Sequence, residues 1–153
     1  MGGVLKYLSF RGRANRKRYW LTSLALFGIF LLSMAVTSGV SGLLPFGGVL
    51  LLPLVVGYFV AAFATAARRL HDRNKSAWWL LLLLLLPVVL SIPAELASYS
   101  DDAGFKAVAA LLALIGLPFS IWAFVELGCL KGTAGPNKYG DDPLEPQVQE
   151  VFA

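Results

Sequence analysis

Four long apolar stretches separated by short polar or glycine-rich segments dominate the pattern along the chain. The first, at 19–40, carries no charge and opens on Tyr19 and Trp20, aromatic residues suited to a membrane–water boundary. The second, at 46–67, contains Pro53 with Gly57 one turn later. Pro53 removes a backbone hydrogen bond and predicts a kink, which lipid tolerates where neighbours cover the freed carbonyl. The third, at 77–96, opens on Ala77, Trp78 and Trp79, continues through the leucines of 80–86, is interrupted by Pro87 and Pro93, and closes at Glu95. The fourth, at 105–130, exceeds the roughly 20 residues that cross hydrocarbon, so it must tilt, bend at Pro118 or project into the interface. The expected fold is an all-α integral membrane bundle of about four transmembrane helices with Pro kinks and short loops. It forms a polytopic domain over 1–130, followed by a tail at 131–153 rich in Gly, Pro and acids, predicted to hold little fixed structure. The first stretch is too long for a signal peptide and further spans follow, so it is read as a retained helix.

Local signals set the connections. Asn15 is the N-cap candidate of the first span, without a capping box because Arg18 stands where Glu would reach back. Asn74 suits a left-handed helix end, and Ser76 suits the cap of the third span. Gly39, Gly42, Pro45, Gly47 and Gly48 predict a short uncharged turn, and 98–104 an acidic loop with Asp101 and Asp102. Val4, Leu5, Tyr7 and Leu8 recur at helical spacing; an interfacial helix and a frayed basic tail both fit them. Small residues four apart (Gly57, Ala61 and Thr65; Ala109 and Ala113; Gly116 and Ser120) predict close packing inside one bundle more than a dimer seam. Spans one and two do not resemble three and four beyond being apolar, so no inverted repeat is visible.

Of 153 residues 58% are hydrophobic and only 14% charged, against about 25% charged in a water-soluble domain. The net charge of +4 sits beside the apolar stretches, which points to lipid headgroups and topology rather than to nucleic acid. With four spans, twelve of the thirteen Lys and Arg residues fall on one side and only Lys106 on the other. The positive-inside rule makes the basic side cytoplasmic and predicts both termini there. The expected contacts are the bilayer, anionic lipids drawn by about 1 kcal/mol per basic residue, and a protein partner of unstated identity, with a homo-oligomer as an open alternative.

Candidate chemistry is sparse. One Cys and one His cannot build a zinc site or an intrachain disulfide, and no cofactor is expected. Cys129 reads as a small residue at the end of an apolar run. Glu126 is the carboxylate well inside such a run; a salt bridge to Arg68, Arg69 or the N-terminal arginines is favoured over ion or proton handling. His71 and Asp72 are adjacent and therefore do not face each other on a helix, and no nucleophile stands beside them. The segment 132–140 looks like a phosphate loop, but it lacks the Gly-Lys-Ser/Thr ending and a preceding strand; turn chemistry accounts for it. No catalytic constellation is found, and an enzyme is not expected.

Three motifs in order carry a resemblance. They are Phe10-Arg11-Gly12-Arg13-Ala14-Asn15 with Arg16-Lys17-Arg18-Tyr19-Trp20; Arg68-Arg69-Leu70-His71-Asp72 with Arg73-Asn74-Lys75-Ser76-Ala77-Trp78-Trp79; and Gly132-Thr133-Ala134-Gly135-Pro136-Asn137 with Lys138-Tyr139-Gly140-Asp141-Asp142-Pro143. Nearly the whole chain resembles the domain-of-unknown-function 805 family of small bacterial inner-membrane proteins. The resemblance implies about four spans in the cytoplasmic membrane and no established activity. The chain departs at Arg18, where Glu is frequent, at Arg73-Asn74, where an apolar or small residue precedes Gly, and at Asp141, where Pro is usual. Motif candidates on the basic side are Arg11, Gly12, Arg13, Arg68, Arg69, His71, Asp72, Lys75, Trp78, Trp79, Gly132, Asn137 and Gly140. All fall on one side of the topology, which suggests a single cap of basic loops and acidic tail. The leading functional reading is an interaction or scaffold protein with a basic docking face. The alternative is a small channel or transporter component, as an oligomer, using Glu126.

Overall fold

The computed structural model describes residues 8–41 and 52–144. Four helices fill this range: α1 (Arg16–Ser41), α2 (Leu52–Asp72), α3 (Leu86–Ala97) and α4 (Ala103–Phe124). A π turn, Leu81–Leu85, leads into α3, and a second, Val125–Cys129, follows α4. Helical stretches Arg16–Gly39, Leu52–Asp72 and Ala103–Cys129 are long and apolar enough to cross a membrane; Leu81–Ala97 is shorter. Helical conformation nevertheless runs unbroken from 79 to 97, and α3 packs along α4, which returns the chain over the same depth. Gly39, assigned to the predicted uncharged turn, is instead helical within α1; the rest of that turn, 42–48, and the apolar residues Val4, Leu5 and Tyr7 lie outside the described residues.

Two helix starts have a side-chain cap, whereas the helical run into α3 opens without one, so Ser76 does not take the predicted cap role. Asn15 accepts from the Arg18 amide at 2.9 Å, so α1 opens three residues before the predicted Tyr19. Asn15→Ala is expected to lower stability by about 1 kcal/mol, read from the unfolding midpoint in detergent. Asp102 caps α4 by accepting from Gly104 N at 2.7 Å and Phe105 N at 3.1 Å. At the end of α2, Asn74 takes the left-handed conformation (φ 57°) and the chain turns toward α3.

Two boundaries differ from expectation. The apolar pattern places the second span at 46–67, but α2 continues to Asp72, so Arg68, Arg69, His71 and Asp72 belong to its last turns rather than to a loop. These charges stay helical because other segments supply partners for them. Pro87 and Pro93 do not interrupt the third helix. Pro87 has no N–H and its ring crowds the preceding turn; the wider π turn Leu81–Leu85 takes up the misfit, with Leu86 N–H bonding the Leu81 carbonyl. Pro93 and Pro118 lie inside α3 and α4, and Pro53 lies in the first turn of α2.

The helices pair as two hairpins, α1 with α2 and α3 with α4. Small residues bring α3 and α4 together: Ala97, Ala109 and Gly116 are buried, and a Cβ on Gly116 would stand 3.5 Å from Pro87 Cα. Among the described helices, the backbones of the two hairpins approach closely only at the π turn Val125–Cys129. The apolar core sits at this same end, where Ala66, Ala67 and Leu70 meet Leu80, Leu83, Ala123 and Leu127. On the outer faces of the helices, Leu21, Leu24, Leu32, Leu111 and Ile121 are all more than half exposed. Apolar surface on this scale suits hydrocarbon as solvent and not water.

Candidate functional site

The basic end of the bundle is built on the C-terminal turn of α2. A helix end leaves carbonyls without intrahelical partners. Here two segments distant in sequence, one before α1 and one after α4, supply them. Ala14 N–H donates to Arg68 O at 3.0 Å. Asn137 Nδ2 donates to His71 O at 2.9 Å, and Thr133 donates to Asp72 O through its amide at 2.8 Å and its hydroxyl at 3.0 Å. The three motifs thus converge on one helix end.

Asp72 is the hub. Its carboxylate accepts from Arg13 Nε at 3.1 Å and from Arg69 Nη1 at 2.5 Å. Both guanidinium groups are buried, with side chains 1% and 0% exposed. Their remaining donors also find acceptors. Arg13 reaches Gly135 O and Thr133 O, both at 2.6 Å, and Gly140 O at 3.3 Å. Arg69 reaches Leu127 O at 2.8 Å, and also Leu130 O. Gly12, at φ +87°, allows the turn that aims Arg13 inward, and Gly135, at φ +71°, turns its carbonyl toward that side chain. A Cβ on Gly132 would run into the Asp72 carboxylate.

The π turn after α4 is capped in the same manner. Arg69, Trp20 and Arg16 donate to the carbonyls of Leu127, Gly128 and Cys129, respectively. Cations at a helix C-terminus also favour the helix dipole. The Trp20 ring lies so close to Gly128 that a Cβ there would stand 2.7 Å from Cζ2.

Glu126 forms a second ionic centre. The sequence favours pairing with Arg68, Arg69 or the N-terminal arginines. Glu126 is instead engaged by Arg73 at 2.5 Å and Lys75 at 2.8 Å. The reason is geometric: Arg69 points at Asp72 and the end of the π turn, whereas Arg73 and Lys75 follow the helix and fold back over Glu126. Lys75 also sits 5.1 Å from the centre of the Trp79 ring, which meets Trp122 edge-on.

The segment 131–144 differs from the predicted tail. Asn137 and Gly140 bond each other through both amides at 3.0 Å and form a tight hairpin. Its tip presents Tyr139, which stacks on His71 with ring centres 3.9 Å apart and planes 6° from parallel. His71 Nδ1 lies 3.3 Å from Gly12 O. Asp142 accepts from Gly135 N at 3.0 Å. Hydrogen bonds to helix-end carbonyls and to Arg13 order this segment, a contribution that its low apolar content conceals.

Of the candidates, Gly12, Arg13, Arg69, His71, Asp72, Gly132, Asn137 and Gly140 come together around α2. Lys75 and Trp79 belong to the Glu126 centre. Arg68 is buried in the last turns of α2, with Nε 3.3 Å from Ala64 O. Arg11 and Trp78 are exposed at the rim. Thr133, Arg16, Trp20, Arg73 and Tyr139 are not among the motif candidates, although the motifs contain all five. Arg16 and Trp20, four residues apart on one face of α1, carry a local signal, and the others carry none. Among the described residues no group of three metal-ligating side chains occurs. Chemically, the arrangement clamps one helix end to two others and to the C-terminal segment, with its acids engaged in ion pairs.

Comparison with known proteins places this architecture. The family described as protein of unknown function (DUF805) matches residues 7–141. Inner membrane protein YhaH of Escherichia coli K12 is 34% identical over 148 residues, covering 94% of this chain and 95% of the relative. Inner membrane protein YhaI of the same strain is 32% identical over 145 residues, covering 92% and 91%. No solved structure matches. The matched stretch takes in all four helices and every residue of the Asp72 and Glu126 centres, and the chain belongs to the DUF805 family of helical membrane proteins.

Proposed function

We propose that this chain is a multi-pass protein of the bacterial cytoplasmic membrane, with both termini on the cytoplasmic side, acting as an interaction protein that docks a partner on its basic end. The observation that carries this reading is the division of the cations. Arg13 and Arg69 are buried and satisfied, and make the end rigid. Lys17 and Lys131 are exposed around it, and among the described residues neither has an acidic partner. A rigid scaffold with free charge at its rim suits recognition more than turnover. The inner-membrane naming of YhaH and YhaI and the positive-inside rule support the placement. A photo-reactive residue at Lys17 or Lys131 should give a discrete adduct in living cells, reduced several-fold by charge reversal at the other position. No adduct, or one indifferent to charge, would count against docking at this face.

The transport reading makes Glu126 a carrier of ions or protons. Its carboxylate is held by two cations, so Glu126→Gln is expected to lower stability by about 1–3 kcal/mol, discounted because Arg73 and Lys75 are partly exposed. The unfolding midpoint in detergent checks this. An uncoupler-sensitive flux in vesicles that vanished in the Gln variant would bring the transport reading forward.

A further inference from the structure

Between α2 and the helical stretch 79–97 lies a cleft of about 700 Å³. Its walls belong to different hairpins, with Val56, Val60 and Phe63 facing Leu81 and Leu85. From Val56 to His71 it extends about 22 Å at 1.5 Å per residue, more than the ~15 Å of one leaflet's hydrocarbon. Its far end is apolar; its near end is polar and aromatic, lined by His71, Ser76 and Tyr139 with Phe10 and Trp78 at the margin.

Apolar walls alone do not select an occupant in a bilayer, because lipid tails are as apolar as leucine. Selection must come from the polar end, and the charge there is unbalanced. Lys138 Nζ lies 5.0 Å from the centre of the Tyr139 ring that lines the cleft. Arg11, which follows Phe10 and precedes Gly12 at the His71 ring, is exposed. Among the described residues neither cation has an acidic partner, and Asp72 and Glu126 are each already met by two cations. A second copy of this chain entering the cleft would need to bring carboxylates to this end, whereas a phosphodiester brings the required charge with its own apolar chain.

We propose that the cleft binds one anionic glycerophospholipid, with an acyl chain between α2 and 79–97 and the phosphate at the level of Arg11 and Lys138. The inference goes beyond protein docking and stands whether or not a partner binds the rim.

The test is native mass spectrometry of the full chain released from mild detergent, offered phosphatidylglycerol and phosphatidylcholine with identical chains, and separately glycerol 1-phosphate. One retained phosphatidylglycerol is expected, preferred about tenfold or more, with no binding of glycerol 1-phosphate. Arg11→Gln and Lys138→Gln should each reduce the preference by about fivefold while leaving the unfolding midpoint unchanged. Val60→Trp should remove retention of both lipids. Because that variant can also unfold the chain, a phosphatidylglycerol carrying a photo-reactive acyl group provides a readout on the unaltered protein. Adducts are expected on Val60, Phe63 and Leu81–Leu85. Equal retention of the two lipids, adducts spread as heavily over α1, displacement of the lipid by glycerol 1-phosphate, or a dimer cross-linked across the cleft would each overturn the proposal.

Discussion

Asp72→Asn is expected to lower stability by about 3–5 kcal/mol, the range for removing one partner from a buried ion pair. The substitution keeps size and shape but removes the charge that two buried guanidinium groups share. Arg13 and Arg69 would then face each other across a neutral amide with almost no access to water. The loss should be seen as a lower unfolding midpoint in detergent and as new tryptic cleavage after Arg13, which is buried in the clamp, and after Lys138, whose side chain is exposed but whose hairpin backbone Arg13 holds through Gly135 and Gly140. Arg13→Gln alone should also destabilise. The double variant should be less damaged than the sum of the two, because the second substitution relieves the charge left unpaired by the first. An unfolding midpoint equal to that of the unaltered chain would show that Asp72 is not the hub.

Much of the fold is legible because apolar runs and local caps depend on near neighbours. Asn15 and Asn74 are identifiable from a few residues either side, and both take the expected roles. Asp102 carries an equally local signal, an acid immediately before the first helical residue Ala103, which reading 98–104 as a single acidic loop hides. The end of α2 is misplaced by the sequence for a different reason. A cluster such as Arg68, Arg69, His71 and Asp72 ordinarily marks solvent. Here it is buried, with 4%, 0%, 8% and 3% exposure, because partners come from residues 59 and 61 positions away. No window along the chain contains that information.

The same limit governs the ionic centres. That Glu126 is paired is readable from the cost of a bare carboxylate at such a depth. Which cations pair with it depends on where Arg69 points, and Arg69 is held by Asp72 and by the carbonyls that end the π turn. The convergence of the motifs on one end follows from topology, since an even number of crossings returns the chain to that end. The ordering of 131–144 does not follow from composition. Disorder is inferred when too little apolar surface is available to offset chain entropy. This segment is ordered by another route, through helix-end carbonyls that would otherwise lack partners and a buried guanidinium with three carbonyls to fill.

That route rests on close approach, and Gly132 is where the approach is tightest. Its backbone passes against the Asp72 carboxylate, and a Cβ there would overlap the oxygens that Arg13 and Arg69 need. A flexible side chain tip would move aside, but this carboxylate is fixed by two cations. Gly132→Ala is therefore expected to lower stability by about 1–3 kcal/mol, as overpacking at a closed site does. More tellingly, it should release the C-terminal segment before it unfolds the bundle, since Thr133 and Asn137 would be the first to separate from the end of α2. Trypsin should then cut at Lys131 and Lys138 at denaturant concentrations where the helical signal by circular dichroism is still that of the folded chain. Coincident loss of helix and of protease resistance, at the midpoint of the unaltered protein, would mean that 131–144 is not held through these hydrogen bonds.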